Sequence, residues 1–192
     1  MKIDTKKLET ELTRLGLEVD SVKKFKNKAD FVLDLDLTPN RGDCFSVLGI
    51  ARELAAAENK KIKQEIVDLK KTDLKPKTRV KLSAQGACPR YSFIEIYNFD
   101  NSKKIPNFIL DRLEAGGINS INPVVDILNY VMLDIGQPMH AFDLDKIGKV
   151  INVRYAKEKE KVNLLDESTK ILNKNCLVIS DENQALAFAG IM

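Results

Sequence analysis

Leu8, Leu12 and Leu15 recur at the spacing that lines one face of a helix. Asp4 or Thr5 can cap the start of that helix, and Gly16 can end it. From Phe31 to Leu37 the period changes to two: Phe31, Leu33, Leu35 and Leu37 alternate with Asp34 and Asp36, which predicts a half-buried strand. The turn TPNRGD follows, with Asp43 placed to cap a helix whose core stripe is Val47, Ile50, Ala51 and Leu54. Gly49 inside that helix costs about 1 kcal/mol relative to alanine, so close packing is expected there. The charged stretch Asn59 to Lys77 reads as a surface connection, with a domain boundary near Pro76. Beyond it the pattern predicts strands at Val80 to Ser83 and Tyr91 to Tyr97, then a helix after Pro106 or Asn107. Phe108, Leu110 and Leu113 are available for burial on that helix, and Gly116 and Gly117 end it. A second helix is expected from Pro123 to Leu133, stopping at Gly136, and short strands at Val150 to Arg154, Leu177 to Ile179 and Leu186 to Phe188. Strands and helices mix without regular alternation. The expected class is therefore α+β, with mixed and antiparallel sheets and packed helices rather than a doubly wound sheet. Residues 1–75 would form a small N-terminal module and 76–192 a larger domain.

Composition narrows this picture. Hydrophobic residues make up 44% of the 192 and tryptophan is absent, so Leu, Ile and Val must supply most of the packing. No window approaches the ~20 apolar residues that cross a bilayer, and the N-terminus has no apolar secretory core. No membrane association is expected. Cys44, Cys88 and Cys176 are odd in number, widely spaced and without a CxxC pair. A disulfide frame and a zinc site are not expected, and a reducing cytoplasm fits. One histidine without paired thiols points away from a transition metal. The formal charge is +3, with lysines clustered at Lys23 to Lys28, Asn59 to Lys63 and Leu69 to Lys77. Solvated faces and linkers explain such runs most simply; phosphate contact is the second explanation.

The chemistry concentrates in Asn122 to Asp143, NPVVDILNYVMLDIGQPMHAFD. This stretch holds His140, the only histidine of the chain, and sets the amide of Asn129 in an apolar helical run. A Gly-Gln-Pro turn then returns the chain, an arrangement that can bring Asn129 and His140 side by side. A carboxamide both donates and accepts, and an imidazole nitrogen can accept from water or a ribose hydroxyl. Pro138 would stiffen the approach and supply an apolar wall. Plainer roles stand beside these. His140 and Asn129 can be structural hydrogen-bonders, Asp126 can cap or brace, and Asp143 can bind turn N–H groups. Arg41, Asp43 and Arg52 read as an ion-pair network, and Cys44 and Cys88 as buried small apolar residues.

Three motifs in series, TPNRGDCFSVLGIARELAA (Thr38 to Ala56), ACPRY (Ala87 to Tyr91) and NPVVDILNYVMLDIGQPMHAFDLDKI (Asn122 to Ile147), together resemble the beta subunit of bacterial phenylalanyl-tRNA synthetase. GLEVDSV (Gly16 to Val22) is similar to the N-terminal region of that subunit. The resemblance implies an α+β fragment of a heterotetrameric ligase. Its partners would be the alpha subunit, tRNA-Phe and mischarged tyrosyl-tRNA, the substrate of an editing domain. ATP and magnesium would belong to the alpha-subunit site, and no cofactor to this chain. Residues 1–75 would be the family's N-terminal module, and 76–192 most of the editing domain. The resemblance assigns Asn129 and His140 to catalysis of ester hydrolysis and Pro138, Ala189 and Gly190 to substrate binding, with His140 either a base or an orienting group.

The chain also departs from the family pattern. Only Asp20 to Asp30 stands where relatives commonly insert an oligonucleotide-binding fold. Gly42 replaces a proline, Leu128 a threonine and Asn119 an arginine. The sequence stops just after Gly190, which suggests a cut inside a domain, before a downstream glutamate that reads the tyrosine hydroxyl in relatives. Weak or absent editing by the chain alone is the expectation. Two further readings remain at this point: a non-catalytic scaffold or binding module with a degenerate pocket, and a free-standing hydrolase of mischarged tRNA.

Overall fold

The computed structural model describes residues 4–26, 30–63, 73–164 and 168–190. Asn27 and Lys28 of the first lysine cluster, and Leu69 to Thr72 of the third, lie outside these residues. The chain forms two compact units, each from two segments: residues 1–68 with 100–141, and 69–99 with 142–192. It passes from one unit to the other at 68/69, 99/100 and 141/142.

In the first unit, helix α1 (Thr5–Arg14) follows Asp4, whose side chain makes no capping bond. The helix reverses at Gly16, where the Leu17 N–H donates to the Leu12 carbonyl at 3.0 Å. Strands β1 (Glu18–Lys24) and β2 (Phe31–Asp36) then form an antiparallel pair, with Val19 opposite Leu35 and Val22 opposite Leu33. Their inward side chains pack with Leu12, Leu17 and Cys44, and Ile50 and Leu54 close the same core.

Helix α2 (Val47–Ala57) is capped by Ser46, not by Asp43. A short 3₁₀ turn (Gly42–Cys44) places Asp43 too early. Ser46 is the last extended residue, and its Oγ accepts the Gly49 N–H at 2.9 Å. Val47 is 61% exposed, so the core stripe begins at Ile50. Helix α3 (Asn107–Ala115) buries Ile109 and Leu113. Phe108 stays 57% exposed, its ring edge-on to Tyr130 of helix α4 (Pro123–Ile135) at 5.8 Å.

The second unit centres on a four-stranded sheet of β3 (Arg79–Leu82), β4 (Val150–Tyr155), β7 (Leu177–Ser180) and β8 (Ala185–Phe188), in that order. β3 runs parallel to β4; the other neighbours are antiparallel. A separate hairpin pairs β5 (Lys161–Asn163) with β6 (Thr169–Ile171). Alternation along β4 sends Ile151 and Val153 into a core with Ile179 and Ala187. A second cluster joins Ala156, Val162, Leu172 and Val178. The class is α+β with mixed sheets, as the sequence predicts.

Tyr91 to Tyr97 is not a strand. The segment alternates, but no described strand pairs with it, and Ile94 and Ile96 are 74% and 66% exposed. Glu95 instead clasps the segment to the residues before β3. Its carboxylate accepts the Lys77 and Thr78 N–H groups at 2.9 and 2.7 Å, and also the Tyr97 hydroxyl.

Candidate active site

The approach to α4 is built around a buried carboxylate. Asp126 is 2% exposed; it accepts the Ser120 hydroxyl at 2.6 Å and the Ile121 N–H at 2.8 Å. Asn122 caps the helix by accepting the Val125 N–H at 3.1 Å, and Pro123 occupies the first turn, where its missing N–H costs nothing. Asp126 thus braces the loop before the helix. Asn129 follows three residues later, on the same side of α4, and is half-buried.

Helix α4 ends at Gly136, whose φ of +76° is the left-handed conformation glycine adopts without steric cost. A Cβ there would lie 3.2 Å from the Ser46 Cβ and 3.4 Å from the Phe45 carbonyl. The TPNRGDCFS segment therefore buttresses the turn that leads to Pro138 and His140. The Gln137 side chain donates to the Pro138 carbonyl at 3.2 Å, and Pro138 and His140 are both exposed. Asp143 accepts the Asp145 N–H at 3.1 Å, the turn-binding role expected of it.

Ala189 and Gly190 lie at the end of β8. The Ala189 N–H donates to the Leu177 carbonyl at 3.0 Å, and its methyl packs on the β4–β7–β8 core. Gly190 has a φ of +78° and open space where a side chain would stand. Asn129, Pro138 and His140 thus share the first unit, whereas Ala189 and Gly190 belong to the second.

Each unit also has a cleft, and none of these five residues lines either one. The first, about 110 Å³, lies between the β1–β2 hairpin end and α3, with Phe25, Phe31, Phe108 and Arg112 in its wall. The second, about 420 Å³, lies on the polar face of the four-stranded sheet. Its residues were not singled out from the sequence. The signal was present in β4, where Asn152 and Arg154 alternate with core positions.

The ion-pair network around Arg41 includes Asp43 but is completed by Glu53 rather than Arg52. Arg41 reaches Asp43 at 2.9 Å and Glu53 at 3.1 Å. Its guanidinium holds the Asp43 carboxyl down at about 2. Asp43, Cys44 and Glu53 are close enough to surround an ion, but Arg41 already provides their counter-charge. Cys44 is buried, and burial raises its thiol pKa; Cys88 is only half-buried.

Comparison with known proteins gives this arrangement a family. The chain belongs to the B3/4 domain family, which matches residues 87–192. Within that class its relatives are phenylalanine–tRNA ligase beta subunits, the resemblance expected from the three motifs. It is 48% identical over 163 residues to the subunit of Legionella pneumophila (strain Lens), covering 85% of this chain and 21% of that one. The subunit of Coxiella burnetii is 42% identical over 172 residues, 90% of this chain and 22% of the relative. That of Francisella tularensis is 43% identical over 171 residues, 89% and 22%. The chain therefore spans about a fifth of the length of these relatives. Among solved structures, an N-terminal fragment of the Pyrococcus horikoshii phenylalanyl-tRNA synthetase beta subunit matches 99% of this chain and 57% of its own, with a TM-score of 0.48 and 17% identity. No helix among the described residues is long and apolar enough to cross a membrane.

Proposed function

We propose that the chain acts as part of a phenylalanine–tRNA ligase in the cytoplasm, assembled with an alpha subunit on tRNA-Phe. In this reading residues 1–75 are the N-terminal module and 76–192 the editing-type domain. The observation that carries it is 42–48% identity to beta subunits over 85–90% of the chain. ATP and magnesium serve aminoacylation at the alpha-subunit site, and this chain contributes no residue to them.

In this reading the chain contributes to hydrolysis of tyrosine mischarged onto tRNA-Phe. Water adds to the tyrosyl carbonyl carbon, the ester bond to the ribose oxygen breaks, and that oxygen takes up a proton. Asn129 and His140 orient the water and the terminal ribose, and Pro138 contacts the aminoacyl group. A site that hydrogen-bonds the phenolic hydroxyl rejects phenylalanine by up to about 10⁴-fold, because the buried partner would be left unpaired.

The helix brace at Asp126 and the glycine turn at Gly136 support this reading, since both fix the backbone around the two candidate groups. The exposure of Pro138 and His140 favours a second reading, a binding module without catalysis. Deacylation of tyrosyl-tRNA-Phe by the chain assembled with an alpha subunit separates the two. Editing predicts hydrolysis that Asn129→Ala and His140→Ala each slow by about 10²-fold. No hydrolysis above the uncatalysed rate would leave the binding module.

A further inference from the structure

The proposed editing reaction depends on where the chain goes after α4. Between Gly136 and Phe142 no helix or strand holds the backbone. The place of His140 therefore follows from the direction in which the chain leaves Gly136. That exit is left-handed: the Gly136 N–H donates to the Met132 carbonyl at 2.9 Å, and the Gln137 side chain folds onto the Pro138 carbonyl at 3.2 Å.

Ser46 stands against this exit. A Cβ built on Gly136 would lie 3.2 Å from the Ser46 Cβ, and 3.4 Å from both the Ser46 Oγ and the Phe45 carbonyl oxygen. Carbon atoms pack best at about 3.5–4.0 Å, so the space takes a hydrogen but crowds a methyl group. Ser46 is itself held on three sides. Its N–H donates to the Cys44 carbonyl at 2.8 Å, its Oγ accepts the Gly49 N–H at 2.9 Å, and its carbonyl accepts the Ile50 N–H at 3.1 Å. Before it in the chain, Cys44 is buried in the core, and Arg41 ties the 3₁₀ turn to α2 through Asp43 and Glu53.

Helix α4 is held as well. Asp126 fastens its first turn to Ser120 and Ile121. On its flank the Leu133 side chain lies against Gly116, where a Cβ would meet the Leu133 Cδ1 at 2.8 Å. All of these residues belong to the first unit. With Ser46 and α4 both fixed, crowding at Gly136 passes into the segment that leads to His140.

We infer that Ser46 is a positioning residue for His140, acting through Gly136; the inference rests on the editing reading above. Ser46 sets the exit of α4, and through it the distance of the imidazole from the water it orients. Ser46 and the rest of the TPNRGDCFS segment lie outside residues 87–192, which match the B3/4 family. The editing site accordingly draws on a part of the chain beyond that domain.

Gly136→Ala, Ser46→Gly and their double variant test the inference, with Gly117→Ala as control. Gly117 has a φ of +72° in the same unit but nothing within 4 Å of a Cβ. Both glycine-to-alanine changes strain a left-handed backbone; only the one at 136 meets Ser46. Glycine is itself an accepted N-cap, so Ser46→Gly keeps the start of α2 and serves even where Gly136→Ala fails to fold. Two readouts are insensitive to stability alone. One is the position of the His140 resonance in the folded chain labelled with carbon-13 histidine. The other is kcat against KM for deacylation of tyrosyl-tRNA-Phe by the chain with its alpha subunit. Gly136→Ala and Ser46→Gly should each move the resonance and lower kcat by about 10-fold, with KM within about 2-fold, since a misplacement of about 1 Å costs about 10²-fold. The double variant, in which the new methyl group takes the space the serine leaves, should recover most of both. Gly117→Ala should change neither. If the wild-type chain hydrolyses nothing, the editing reading fails, and the resonance alone decides whether Ser46 places His140. An unmoved resonance in the folded variants, an equal movement in Gly117→Ala, or a double variant no closer to wild type than Gly136→Ala would overturn the inference. Wild-type kcat in both single variants would overturn it too, with the editing reading left standing.

Discussion

Replacing Gly49 with alanine tests how the TPNRGDCFS segment is held. A Cβ built at Gly49 would meet the Asp43 carbonyl oxygen at 2.0 Å, the Asp43 carbonyl carbon at 3.0 Å and the Cys44 Cα at 3.0 Å. All three are backbone atoms, so no side chain can swing away; the 3₁₀ turn or helix α2 must move. Overpacking of this kind costs about 1–3 kcal/mol. The same movement would pull the Gly49 N–H from the Ser46 cap at 2.9 Å, removing about 1 kcal/mol more. Alanine returns about 1 kcal/mol of helix propensity. The net loss is then about 1–3 kcal/mol, or roughly 2–10 °C in Tm for a chain of this size. Gly42→Ala is the control, because no atom lies within 4 Å of a Cβ there. Its stability should stay within about 0.5 kcal/mol of wild type. Circular dichroism with thermal and urea denaturation measures both. A Gly49→Ala variant as stable as wild type would refute the close approach.

Two further perturbations probe the supports of each unit. Asp126→Ala leaves the Ser120 hydroxyl and the Ile121 N–H without their buried acceptor, and should cost about 2–4 kcal/mol in urea denaturation; a loss below about 0.5 kcal/mol would contradict the brace. In the second unit the Arg154 guanidinium holds the Glu160 carboxyl down at about 2, against an ordinary value of 4.5. The pair therefore stabilises the fold fully above about pH 4.5 and progressively less as pH falls toward 2. Glu160→Gln should cost about 1–2 kcal/mol at pH 7, after discount for solvent at a pair 16% and 13% exposed. Measured from pH 7 to pH 2, the gap between wild type and variant should narrow through that acid range; a gap that widens would refute the linkage.

Much of this architecture is legible because local pattern and tertiary packing agree. Leu8, Leu12 and Leu15 mark α1, and Pro123 with Gly136 brackets α4. The failures arise where a local signal had competitors. Asp43 and Ser46 are both good caps, and only the intervening turn decides between them. Tyr91 to Tyr97 has the alternation of a strand, but a strand needs a neighbouring backbone, which alternation cannot reveal. β1 is hard to read because a bulge between Val19 and Ser21 breaks its period. The grouping of 100–141 with the N-terminal segment depends on contacts between distant residues and leaves no local trace. Asn129 and His140 stood out by chemical type. The sheet cleft did not, because Lys81 and Asn152 become neighbours only through β3–β4 pairing.

Because His140 is the only histidine, carbon-13 labelling of histidine gives a single imidazole signal for the whole chain. That signal should be followed as the chain, with its alpha subunit, is titrated with a tyrosyl-adenosine whose ester is replaced by a non-hydrolysable amide. A shared proofreading site predicts a saturable shift of the His140 resonance that Asn129→Ala weakens at least about 10-fold, the loss of one well-formed hydrogen bond. A resonance that does not move at saturating analogue, or that moves identically in the Asn129→Ala chain, would contradict a common site for the two groups.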